Sequence, residues 1–192
     1  MTNNSYLCPM IRRIWLLITV LSAILLLSLR CLAGQTYHSA FAYQGLKRTY
    51  LVYLPSSVSK TSPVPLVLAL HGKGGNGKSM ELLTRKGFNK LADKKGFIVV
   101  YPDGIEKNWN DGRIDDSSND RAHRENIDDV GFLSTLMDTL IRKYSINKDR
   151  IYVTGMSNGA IMAYRLACEL SHKVTAIAPV TGNMPPLIIA GC

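Results

Sequence analysis

A serine set between two glycines, Gly155-Met156-Ser157-Asn158-Gly159, separates a strand-like Arg150-Ile151-Tyr152-Val153 from a helix-like run, Asn158 to Leu170. A chain with this junction must pass from strand to helix in one sharp turn at the serine, and the flanking glycines leave room for it. Such a turn lifts the hydroxyl clear of a sheet, where it becomes a nucleophile once a base takes its proton. The plain alternative is a Gly/Ser turn without chemistry, because the five-residue pattern also arises by chance.

A second motif stands upstream. Val64 to Leu70 is a short apolar run of the kind buried on both faces of a sheet, and it leads into His71-Gly72-Lys73-Gly74-Gly75-Asn76-Gly77. Strand candidates are Thr49 to Leu54, Val64 to Leu70, Phe97 to Tyr101, Arg150 to Val153 and Val174 to Val180. Between them, Ser79 to Lys94 reads as one helix and Val130 to Tyr144 as another, with Phe132, Leu133, Leu136, Leu140, Ile141 and Tyr144 on a buried stripe. Strand and helix alternate after an opening β segment, which predicts an α/β fold: a mostly parallel sheet with helices on both faces. Asp128 and Asp129 precede the second helix, where carboxylates cap free N–H groups.

The N-terminus reads as an export leader. Arg12 and Arg13 precede the apolar run Ile14 to Leu29, and Cys31-Leu32-Ala33 offers small residues at a cleavage position, so residues 1–33 are expected to be a signal peptide and 34–192 the domain. The run of 16 residues falls short of the roughly 20 that span a bilayer, so no stable membrane anchor is expected; a tether through residues 14–29 is the alternative. Removing the leader takes away three arginines, leaving 20 basic residues against 14 acidic ones, a charge of +6 instead of +9. The basic residues are scattered and no nucleic-acid module accompanies them, so no nucleic-acid partner is expected. Two cysteines remain, Cys168 and Cys192, an even pair able to form a disulfide in an oxidising compartment.

His71 to Gly77, Val99-Val100-Tyr101-Pro102-Asp103-Gly104, Trp109-Asn110-Asp111-Gly112-Arg113, Asp128-Asp129-Val130-Gly131-Phe132 and Gly155 to Ala160 occur in an order that resembles one family. It is that of the secreted α/β-hydrolase esterases grouped with poly(3-hydroxybutyrate) depolymerases and feruloyl or acetylxylan esterases. The resemblance runs from about Tyr37 to Cys192 and covers the family's first half, so the α/β-hydrolase fold is expected to lack its C-terminal part. It implies hydrolysis of carboxylic esters through an acyl-enzyme, polymeric polyhydroxyalkanoates among the substrates, with no cofactor and no metal. Ser157 would be the nucleophile, and the backbone N–H groups of Lys73 and Asn158 the oxyanion donors. Trp109 would wall the acyl pocket; packing of a long loop onto the core accounts for it equally well.

The resemblance also exposes a gap. The family order is serine, then acid, then histidine, yet only Glu169 and His172 follow Ser157. At about 1.5 Å per helical residue they lie well over roughly 15 Å down the helix that starts at the serine. His71 reads as a hydrogen-bonded structural group. The acid and base are therefore expected beyond Cys192, and the chain by itself is expected to be nearly inactive; a non-catalytic binding protein is the alternative. The acidic loop Glu106 to Ile127 has no standard calcium spacing and reads as solvated.

Overall fold

The computed structural model describes residues 9–30, 34–58, 62–113, 120–186 and 192. The chain divides into two compact units, Met1–Ala33 and Gly34–Cys192. The first contains helix α1 (Pro9–Arg30), whose side chains from Ile11 to Ser22 are exposed. Among the described residues no helix is long and apolar enough to cross a membrane.

The second unit opens with a hairpin of β1 (Gln35–Tyr43) and β2 (Leu46–Leu54), turned by Gln44 at φ 47° and Gly45 at φ 76°. Two successive positive φ values match the twist of paired antiparallel strands. There follow β3 (Val64–Leu70), α2 (Gly77–Leu83), α3 (Gly87–Lys95), β4 (Ile98–Pro102), α4 (Arg121–Arg124), α5 (Asp129–Lys143), β5 (Ile146–Met156), α6 (Asn158–Glu169) and β6 (Ala176–Val180). The strands lie in the order β1-β2-β4-β3-β5-β6. Both pairings of β2 are antiparallel, whereas β4, β3, β5 and β6 run parallel to one another. This is the mostly parallel sheet of the α/β-hydrolase fold.

Alternation along the strands makes two cores. Tyr50, Val52, Leu66, Leu68, Ile98, Val100, Ile151 and Val153 face α5 and α6. Leu51, Tyr53, Ala69, Val99 and Tyr101 face α2 and α3 through Met80 and Ala92. Helices therefore cover both sheet faces.

The stretch expected as one helix from Ser79 to Lys94 is two. Arg85 and Lys86 take positive φ, 50° and 54°, and Thr84 Oγ1 bonds back to the Met80 and Glu81 carbonyls. A straight helix would hold Glu81 and Asn89 about 12 Å apart along its axis. The break brings them together, with Asn89 Nδ2 donating to Glu81 Oε1 at 2.8 Å.

Candidate active site

Ser157 occupies the β5–α6 junction with φ 52° and ψ −117°, outside the regions that residues bearing a Cβ prefer. Its surroundings impose this conformation. Ser157 N–H donates to Val180 O on β6 at 3.0 Å, and its carbonyl accepts from Ala160 N–H at 2.9 Å and Ile161 N–H at 3.0 Å. A Cβ on Gly155 would run into the Gly159 carbonyl, and one on Gly159 would lie 2.5 Å from His71 O and 2.6 Å from Leu70 O. Both glycines are thus fixed by close backbone approach. Ser157 itself is exposed.

The end of β3 lies against this turn: a Cβ on Gly72 would sit 3.5 Å from Ser157 Cβ. Beyond it the loop is held by Gly74 N–H to Lys107 O at 2.9 Å and Gly75 N–H to Gly72 O at 3.0 Å. The N–H groups of Lys73 and Asn158 have no acceptor among the described residues, so both are free to receive an anion. The Lys73 side chain points elsewhere, its Nζ 3.5 Å from Asp120 Oδ2.

His71 is buried with both ring nitrogens occupied. Nδ1 lies 2.8 Å from Gly72 O, which can only accept, so Nδ1 carries the hydrogen; Nε2 accepts from Gly104 N–H at 2.9 Å. Burial pushes its pKa below the usual histidine value, against the opposing pull of Gly72 O and Asp103. No ring nitrogen is left to take a proton from Ser157.

Trp109 is fully buried, tilted against the His71 ring at 4.9 Å, with Nε1 donating to His71 O at 2.9 Å. Its indole supports the Gly-rich loop from beneath and offers no accessible face to a ligand. The main chain around it is held by three side chains, two from α6 and one from α5. Asn158 Oδ1 accepts from Trp109 N–H at 2.9 Å while Nδ2 donates to Trp109 O at 3.0 Å and Asp111 Oδ2 at 2.6 Å. Asp129 Oδ2 accepts from Asn110 N–H at 2.8 Å, and Arg165 Nη1 donates to Asn110 O at 2.8 Å.

The two aspartates before α5 have different tasks. Asp128 caps the helix, accepting from Gly131 N–H at 2.8 Å. Asp129 is buried against Arg48 Nη2 at 2.5 Å, and the Arg48 guanidinium lies 3.7 Å above the Phe132 ring. Burial raises the Asp129 pKa even so, with Arg48 opposing. Neither this ion pair nor the Asn158 clamp announces itself in the sequence, because each joins residues 47 or more positions apart; only the Trp109-Asn110-Asp111 cluster hints at them.

Glu169 is paired with Arg165 at 2.5 Å and His172 is exposed beyond the far end of α6. Among the described residues no histidine or carboxylate bonds Ser157 Oγ. Cys168 and Cys192 are joined by a disulfide across 24 residues. Among the described residues no cluster of histidine, cysteine or carboxylate side chains could hold a metal ion.

Besides this strained serine at a strand-to-helix turn, residues 48–184 match the profile of one family, esterase PHB depolymerase. The chain belongs to this family. It is 30% identical over 141 residues to the bifunctional acetylxylan esterase/xylanase XynS20E of Neocallimastix patriciarum, covering 72% of this chain and 18% of that protein. It is 26% identical over 157 residues to feruloyl esterase D of Neurospora crassa, covering 77% of this chain and 48% of that one. The chain therefore spans less than half the length of either curated relative. Its fold is shared with the acetyl xylan esterase from Aspergillus awamori, with a TM-score of 0.58 at 19% identity over 77% of this chain and 53% of that one.

Proposed function

We propose that the esterase PHB depolymerase domain of this chain is built for hydrolysis of carboxylic esters through an acyl-enzyme, with Ser157 as nucleophile. The observation that carries this reading is the strained Ser157 backbone beside the unengaged N–H groups of Lys73 and Asn158. Oγ attacks the ester carbonyl, the developing oxyanion is received by the two N–H groups, the alcohol leaves, and water releases the acid. Acetyl or feruloyl esters and polyhydroxyalkanoate-type polymers are the substrate classes suggested by the relatives' names.

The base and its acid are proposed to come from sequence following Cys192, for which the greater length of the relatives leaves room. Without them turnover falls by several orders of magnitude while an oxyanion hole preserves a remnant. The chain is proposed to be exported with loss of residues 1–33, a reading supported by the basic-then-apolar leader and by the Cys168–Cys192 disulfide.

The test is a short-chain aryl ester assay of this chain, its Ser157→Ala variant, and a version continued by a relative's C-terminal half. Turnover is expected to be slight in the first, absent in the second and high in the third. Hydrolysis equal with and without the Ser157 hydroxyl removes the nucleophile from the proposal.

A further inference from the structure

Close to the Ser157 turn, side chains from three separate stretches of chain meet end to end in one line. Lys73 Nζ lies 3.5 Å from Asp120 Oδ2. Asp120 Oδ1 accepts from His123 Nδ1 at 2.9 Å, and on the other edge of the ring His123 Nε2 donates to Asp111 Oδ1 at 3.1 Å. Asp111 Oδ2 in turn accepts from Asn158 Nδ2 at 2.6 Å. The ends of this line, Lys73 and Asn158, are the two residues whose backbone N–H groups are the proposed oxyanion donors.

The middle of the line is shielded from water. Asp111 is fully buried, and the His123 and Asp120 side chains are only 11% and 9% exposed. Helix α4, which carries His123, reaches the Gly-rich loop by a second route as well. Arg121 pairs with Glu106 at 3.5 Å, and the next residue, Lys107, holds Gly74 N–H through its carbonyl at 2.9 Å.

An ionised carboxylate only accepts hydrogen bonds, so a ring with a carboxylate on each nitrogen carries both hydrogens and a positive charge. Burial opposes the charge on Asp120, yet the hydrogen bonds from the His123 ring and backbone N–H outweigh it and hold that carboxyl below its ordinary pKa. Asp111 also receives the Arg113 guanidinium, Nε at 3.0 Å and Nη2 at 2.8 Å. The other charged groups nearby have their own partners: Arg121 meets Glu125 at 2.8 Å, and Arg165, which reaches Gly112 from α6, donates to Asn110 O at 2.8 Å and pairs with Glu169. If the ring gives up one proton to solvent, one nitrogen presents a bare lone pair to a carboxylate oxygen and that contact opens. Because the connection is serial, loss of either ring hydrogen cuts it.

We propose that His123 is a positioning residue: as an imidazolium it joins Asp111 to Asp120 and so couples the Asn158 and Lys73 donors, and as a neutral ring it uncouples them. The pull on Lys73 is modest, since an ion pair to an exposed lysine contributes little stability, and its effect is on alignment. The inference deepens the Ser157 reading and rests on it for what the two N–H groups do.

The experiment is an NMR titration of the full chain, labelled at histidine, lysine and asparagine, from about pH 4 to about pH 9, which brackets the window in which an ordinary histidine changes charge. It follows the His123 ring nitrogens, the Asn158 side-chain amide and the Lys73 backbone N–H. On the acid side both ring nitrogens should carry hydrogen, and the Asn158 and Lys73 signals should move with the same midpoint as the ring. In His123→Gln, whose side chain stays neutral, both movements at that midpoint should be lost. Asp120→Asn keeps an oxygen to cap α4 but cuts the line on one side only, so the Asn158 signal should still follow the ring while the Lys73 signal no longer does. A purely through-space effect of the ring charge leaves the Lys73 movement intact in Asp120→Asn, and that result overturns the coupling. A ring that keeps one charge state throughout, or Asn158 and Lys73 signals that stay still while the ring titrates in the parent, overturns it even if neither variant folds. No ester is turned over in this experiment, so failure of Ser157 as nucleophile is seen in the ester assay alone and failure of the His123 coupling in the titration alone.

Discussion

Asn158 holds Trp109 by both ends of its main-chain unit, accepting from the N–H at 2.9 Å and donating to the C=O at 3.0 Å. The first residue of α6 thereby fixes the loop that supports the His71 turn, so Ser157 and the Gly-rich loop, the proposed nucleophile and oxyanion loop, are aligned by one side-chain amide. Its own backbone N–H remains free for the proposed oxyanion. Structure and chemistry use different atoms of the same residue.

Asn158→Ala therefore leaves the backbone donor in place and strips three buried partners, including the Asp111 carboxylate at 2.6 Å. Each stranded buried polar group costs about 1–3 kcal/mol, partly relieved by relaxation. A loss of about 2–4 kcal/mol is expected, seen as a melting temperature lower by about 6–12 °C. A variant melting within about 2 °C of the parent would show that the clamp contributes nothing.

Strain at Ser157, the proposed nucleophile, predicts opposite outcomes for two neighbouring changes. Ser157→Gly relieves a φ of 52° and should raise stability by about 1 kcal/mol while removing all ester turnover. Gly159→Ala introduces a Cβ 2.5 Å from His71 O and should lower stability by about 3 kcal/mol. Denaturant melts of both variants check the pair; destabilisation by Ser157→Gly would mean that the elbow stores no strain.

His71 should stay neutral to lower pH than an ordinary histidine, because burial lowers its pKa. Its folded pKa is lowered by burial, so between that value and the ordinary one near roughly 6.5 the unfolded state binds more protons. The contribution is complete above about pH 6.5 and is lost as pH falls towards the lowered folded value. Nitrogen-detected NMR should report a neutral Nδ1–H tautomer at pH 6. An imidazolium signal there would contradict the hydrogen-bond assignment.

How much of this was readable from the chain follows from range. The β3 and β5 strands, the turn at Ser157 and the Gly-rich loop are short, contiguous signals whose spacing states their geometry. The break between α2 and α3 was not readable, because local propensity favours one helix and it is the distant pairing of Glu81 with Asn89 that rewards two positive φ values. For Trp109 a pocket wall and packing onto the core read equally well from the chain, and the choice between them rests on partners 38 and 49 positions away, His71 and Asn158. The Arg48–Asp129 pair was missed for the same reason: nothing near Arg48 marks it as a core cation.

The far edge of the sheet carries the last prediction. β6 pairs with β5 along one side, and among the described residues no strand covers the other. Ala176, Ala178 and Val180 are exposed, Val180 by 51%. An apolar strand with bare N–H and C=O groups is a template for association, and Pro179 blunts it only at one point. The chain should therefore self-associate in a concentration-dependent way, and Val180→Lys should shift it towards monomer, because a charge on an edge strand opposes edge-to-edge pairing. Light scattering coupled to size-exclusion chromatography over a hundredfold dilution reads this directly. A monomer at every concentration would show that the β6 edge is protected; association unchanged by Val180→Lys would place the contact on another surface.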